Sequence, residues 1–153
     1  MILTTQQRRA LKEVINRNFT FADLSPKFKG VDSSTGNIFC PFHENYETPA
    51  AKMYFNEYRN IWVIHCFGEC QRNFTAYDYV DLVLCLKYQR YKSPMDFLKS
   101  HMSENEVRRQ LKECEKIVMA YESNMYSDRI DYINTIYSEY NNIKDYIEEL
   151  YTG

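Results

Sequence analysis

Apolar positions recur three and four apart at the start of the chain, then two apart, then three and four apart again. Each change of period marks a change of element. Ala10, Leu11, Val14 and Ile15 supply one face of a helix predicted over residues 5–18, and Thr4 with Gln7 has the spacing of a capping box. The exposed face of that helix holds Arg8, Arg9, Lys12 and Arg17. Thr20-Phe-Ala-Asp23 starts a further short turn, which Ser25-Pro26 ends. Strand-like runs follow. Residues 27–31 and 37–39 flank the turn-rich Asp32-Ser-Ser-Thr-Gly36, and residues 52–56 and 60–65 flank Glu57-Tyr-Arg59. Met53 and Phe55 alternate with Lys52 and Tyr54, the period of a pleated strand. The two pairs predict a four-stranded antiparallel sheet.

Beyond Cys70 the helical period returns. Thr75 with Asp78 can cap a helix whose buried stripe is Ala76, Tyr79, Val80, Val83 and Leu84, with Cys85 beside it as a core thiol. Ser93-Pro94 and Ser103-Glu-Asn-Glu106 open two more helices. In the last stretch Ile133, Ile136, Tyr140, Ile143, Ile147 and Leu150 follow a 3-4-3-4-3 spacing, a coiled-coil-like seam on an otherwise polar helix. A hairpin between this helix and residues 105–125 is expected, with the seam offered to a partner protein or packed within the chain. The expected class is α+β: a small antiparallel sheet flanked by helices over residues 1–102, then a helical extension over 103–153.

Composition supports a folded chain: 44% apolar and 26% charged residues over 153 positions. No apolar run reaches the ~20 residues of a membrane span. Five cysteines with no disulfide framework suit a reducing, cytoplasmic setting. The net charge of −2 hides an asymmetry. Residues 1–113 carry 16 Lys/Arg and 13 Asp/Glu, whereas residues 114–153 carry 3 and 8. A local basic patch on the first part could meet nucleic acid, and the acidic tail would be repelled by it.

The candidate chemistry lies between Cys40 and Phe74. The stretch opens with Cys40-Pro-Phe-His43 and closes with Cys66-Phe-Gly-Glu-Cys70. Two pairs of soft ligands on tight turns, separated by enough chain for a hairpin, can converge on one tetrahedral zinc. The ligand set is Cys40, His43, Cys66 and Cys70, and a set of four makes a closed, structural site. A catalytic zinc keeps an open position beside an acid or base, and a zinc deaminase carries a His-x-Glu signature that is missing here. The reading is therefore non-catalytic.

Residues from about 23 to 102 resemble the N-terminal zinc-binding domain of bacterial DnaG-type primases. The resemblance is carried by Cys40-Pro-Phe-His43, Thr48-Pro49, His65-Cys-Phe-Gly68 and the helix from Thr75. It implies a zinc ribbon on an antiparallel sheet that contacts single-stranded template and assists a separate catalytic domain. His65 falls at a non-ligand position of that pattern. Glu69 widens the second turn by one residue, and Gln71-Arg-Asn73 replaces the glycine that usually follows the last cysteine. Asn73 is the residue expected to supply a left-handed backbone there. The chain has no acidic cluster suited to nucleotidyl transfer.

The expected function is that of a single-stranded-DNA-binding accessory subunit, acting in trans with a polymerase, primase catalytic subunit or helicase. Lys27, Lys29, Lys52, Arg59 and Arg72 could track phosphates, while Tyr54, Tyr58 and Trp62 could stack on bases. The alternative is a protein-interaction module that keeps the zinc ribbon as scaffold and regulates a replication or transcription enzyme without touching DNA.

Overall fold

The computed structural model describes the backbone of residues 2–44 and 47–152, and side chains over the same span apart from 124–132, 142 and 145–152. It is α+β and divides into two compact units, Met1–Glu115 and Lys116–Gly153. Among the described residues no helix is long and apolar enough to cross a membrane.

Helix α1 spans Thr5–Asn18 and begins with the expected capping box. Thr4 Oγ1 accepts from the Gln7 amide at 3.1 Å, and the Gln7 side chain accepts from the Thr4 amide at 2.9 Å. Ala10, Leu11, Val14 and Ile15 are all buried. The single turn α2, Phe21–Leu24, carries the same device in Thr20 and Asp23.

The sheet has three strands rather than four: β1 (Ala51–Asn56), β2 (Ile61–Cys66) and β3 (Arg72–Thr75), in the order β1-β2-β3. Both pairings are antiparallel, with Met53 opposite Ile64 and Ile64 opposite Phe74. Asn60, at φ +58°, closes the β1–β2 turn, a backbone region that asparagine tolerates better than most residues. The expected pair over 27–31 and 37–39 does not form. Pro26 instead opens a 3-10 turn, Pro26–Phe28. The Asp32 carboxylate then accepts from the amides of Ser34 and Thr35, closing a turn on itself. Only Ile38 meets the sheet, as one bridge to Ala51. The third strand comes from the other side, Arg72–Thr75, a stretch expected to lead directly into helix.

Helix α3, Ala76–Asp78, continues as a π-helix over Tyr79–Lys87. The predicted stripe is buried as expected: Ala76, Tyr79, Val80, Val83 and Leu84. Positions spaced by four satisfy either helix width, so the apolar period could not tell them apart. Helix α4, Pro94–His101, is capped by Ser93. Helix α5 runs without a break from Glu104 to Thr152, which overturns the expected hairpin. The physical reason is plain in the residues: neither glycine nor proline occurs in those 49 positions, so nothing stops propagation. Cys114 is buried in the core.

Candidate metal centre

Four side chains from the two turns converge. One ligand atom from each of Cys40, His43, Cys66 and Cys70 lies within 4.8 Å of all the others. His43 Nδ1 is 3.1 Å from Cys70 Sγ and 3.8 Å from Cys66 Sγ, and the Cys40 and Cys70 sulfurs are 3.9 Å apart. Metal–sulfur bonds of ~2.3 Å at tetrahedral angles place sulfurs about 3.8 Å apart, so the spacing suits one ion at the centre. Cys40 and Cys66 are buried, while His43 and Cys70 are half-buried. These residues can hold one metal ion.

Local structure positions each ligand. Cys40 follows the Ile38–Ala51 bridge, whose two hydrogen bonds are 2.7 and 3.0 Å. Phe42, inside the first turn, stacks on Phe74 of β3 at 3.8 Å between ring centroids and meets Tyr79 edge-on. The first turn is thus fastened to the core by an aromatic ring rather than by the ligands alone. Cys66 ends β2 opposite Ala51 and Arg72. The second turn is held by the Phe67 amide, which donates to the Ala50 carbonyl at 2.7 Å. Gly68 sits over that contact: a Cβ there would stand 3.1 Å from Ala50 Cβ, closer than side chains usually approach. Gln71, not Asn73, adopts the left-handed conformation, at φ +49°. Asn73 cannot do so because it already pairs with His65 in the β2–β3 ladder.

The thiols differ in their electrostatics. Burial pushes the Cys40 thiol up to about 12, and the neighbouring Cys66 and Cys70 sulfurs add to the rise. Burial also raises Cys70, with the nearby Cys66 and Glu69 charges pushing the same way. Burial acts against ionisation of Cys66 too, yet its thiol is lowered, because the amides of Cys70, Gly68 and Gln71 and the Cys40 side chain donate to it. Three such sulfurs can all ionise only with a cation between them.

The residues expected to meet nucleic acid do not share one surface. In the register, Lys52, His65 and Asn73 form one row across the sheet, and Tyr54 lies on that same face. His65 Nδ1 is 2.6 Å from Asn73 Oδ1, to which the Tyr54 hydroxyl donates at 3.3 Å. Phe67 stands 64% exposed, edge-on to His65 at 4.4 Å. The other expected residues lie elsewhere. Trp62 belongs to the opposite face, against Phe55 at 5.4 Å. Arg59 pairs with Glu13 at 3.1 Å, and Arg72 covers the Phe74 ring and pairs with Asp78 at 3.8 Å. Lys27 lies over the Phe28 and Tyr79 rings, where partial burial and Lys87 lower its pKa. Lys29, outside the sheet, and Tyr58, in the β1–β2 turn, are exposed. Of the seam residues, Ile133, Ile136, Tyr140 and Ile143 are exposed, whereas the side chains of Ile147 and Leu150 lie outside the described residues.

Sequence reasoning missed the partnership of His65 with Asn73 and Phe67. The signal was the run Arg72–Thr75, whose alternation spans too few residues to stand out before a helix cap. No protein-family model, curated protein or solved structure matches the chain.

Proposed function

We propose that the chain is a non-catalytic zinc module that binds single-stranded DNA and serves a separate polymerase, primase catalytic subunit or helicase. The observation that carries this reading is the row Lys52–His65–Asn73 with Tyr54 and Phe67 beside the ligand turn. It offers one phosphate-seeking ammonium, polar side chains able to hydrogen-bond, and aromatic rings suited to stacking, which is worth ~1–3 kcal/mol per base. The resemblance of residues from about 23 to 102 to primase zinc-binding domains agrees with it. Zinc is the metal of choice because three thiolates and one imidazole at tetrahedral spacing match its softness and coordination number. All four positions are protein ligands, so the ion is structural and primer chemistry belongs to the partner.

The experiment is fluorescence anisotropy of a short labelled single strand with the zinc-loaded full chain across a salt series. The expected result is saturable binding with a negative log–log salt slope, weakened by Lys52→Ala and Tyr54→Ala while zinc content stays at one per chain. Absence of binding at low salt removes this reading.

One observation favours the alternative of a protein-interaction module. A groove of about 660 Å³ within residues 1–115 is lined by Leu3, Leu11, Tyr77, Met95, Val107 and Leu111, and its wall carries both signs of charge, Arg8, Lys99, Arg108 and Lys112 with Glu104 and Glu115. An amphipathic peptide would suit it. Retained pull-down of a replication or transcription enzyme by a chain that binds no DNA would support that alternative.

A further inference from the structure

The helical unit carries a surface that residues 1–115 do not explain. On α5, Ile133, Ile136, Tyr140 and Ile143 are 45%, 47%, 61% and 60% exposed. They stand at alternating three- and four-residue steps on an unbroken helix, and Ile147 and Leu150 continue those steps in the sequence. Written as heptads, Ile133, Tyr140 and Ile147 take position a, and Ile136, Ile143 and Leu150 take position d.

The charges beside the seam choose the occupant. In this register the residues at g are Tyr132, Glu139 and Tyr146, and those at e are Tyr137, Lys144 and Tyr151. A parallel, in-register pair of helices sets each g residue against the e residue five positions on in its partner. Glu139 of one chain then faces Lys144 of the other, and the two-fold axis repeats the contact. An antiparallel pair sets g against g and e against e, which offers acid only to acid or tyrosine and lysine only to lysine or tyrosine. Self-association in parallel is the one arrangement of two copies that gives the seam an attractive charge pair.

We propose that residues 133–150 form a parallel two-stranded coiled coil with a second copy of this chain, so that the working particle carries two metal modules. The surface is symmetric and self-complementary, as a two-fold interface requires. This inference is independent of DNA binding.

The test is light scattering on the full zinc-loaded chain at tens of micromolar, with sedimentation equilibrium for the constant. The expected mass is that of two 18.4 kDa chains. Ile136→Asp with Ile143→Asp should give a monomer that still binds one metal ion per chain and keeps its thermal transition. Glu139→Lys alone and Lys144→Glu alone should each weaken the dimer by about tenfold, since each replaces two attractive pairs with repulsive ones. Mixing these two variants should restore association, because both cross-pairs become opposite in sign. A monomeric wild-type chain, or a dimer indifferent to both charge variants, overturns the proposal.

Discussion

Between Met1 and Glu115 a set of aliphatic side chains forms an enclosed core: Ile15, Ile64 and Leu98 show no exposure at all. In the helical unit, Ile133, Ile136 and Ile143 stand about half in water, though the residue type is the same. The difference lies in what closes each surface. The first unit has a sheet with buried side chains, a helix with a matching stripe, and four candidate ligands where the two turns meet. Among the described residues, the helical unit is one helix whose apolar stripe stands exposed, the pattern of a surface made for a partner. A seam of this kind teaches more about assembly than about folding.

That contrast can be broken most forcefully at the metal. Cys66→Ser should abolish stoichiometric zinc binding and melt the three-stranded sheet, a loss on the order of 10 kcal/mol where a structural zinc is the main support. Metal analysis with circular dichroism would register it, and a variant that stays folded without metal would show that the aromatic anchors suffice. Next in size is a matched pair of truncations. Ile64→Ala should cost the metal-bearing unit about 2–5 kcal/mol, whereas Ile143→Ala should leave that unit's melting unchanged and weaken self-association. Equal effects on thermal unfolding would erase the distinction between the two surfaces. Gly68→Ala should cost about 1 kcal/mol, since the new methyl meets Ala50 Cβ at 3.1 Å and must push the second turn outward. A faster loss of zinc to a chelator would report it; an unchanged rate would mean that the turn yields freely. The smallest effect should be a gain. Gln71→Gly should stabilise the chain by about 0.5–1 kcal/mol by relieving the left-handed backbone, visible as a higher midpoint in urea. A lower midpoint would mean that the glutamine side chain contributes more than its strain costs.

The ligand set was legible because metal chemistry demands particular residue types at particular spacings, and Cys40, His43, Cys66 and Cys70 meet that demand within one hairpin. The helix caps were legible for a similar reason: Thr4, Thr20, Thr75 and Ser93 each act with a partner three residues away. What failed was long-range choice. Residues 27–31 have strand-like character, but Pro26 and the self-closing Asp32 turn withhold their backbone from the ladder. Arg72–Thr75 is a weak strand by itself, and only its pairing with β2 makes it one. The left-handed residue after Cys70 fell to Gln71 for the same reason: once Asn73 is fixed in the ladder, the bend must come earlier. Side-chain partners of the basic residues were equally hidden, since Glu13 and Asp78 reach Arg59 and Arg72 only through the fold.

The contact between His65 and Asn73 carries one more meaning. An amide oxygen can only accept, and this one already receives the Tyr54 hydroxyl. The 2.6 Å approach of His65 Nδ1 therefore makes that nitrogen the donor toward the Asn73 amide oxygen. The ring is thereby held in one orientation on the sheet. A single amide on β3 thus ties side chains of all three strands together on one face.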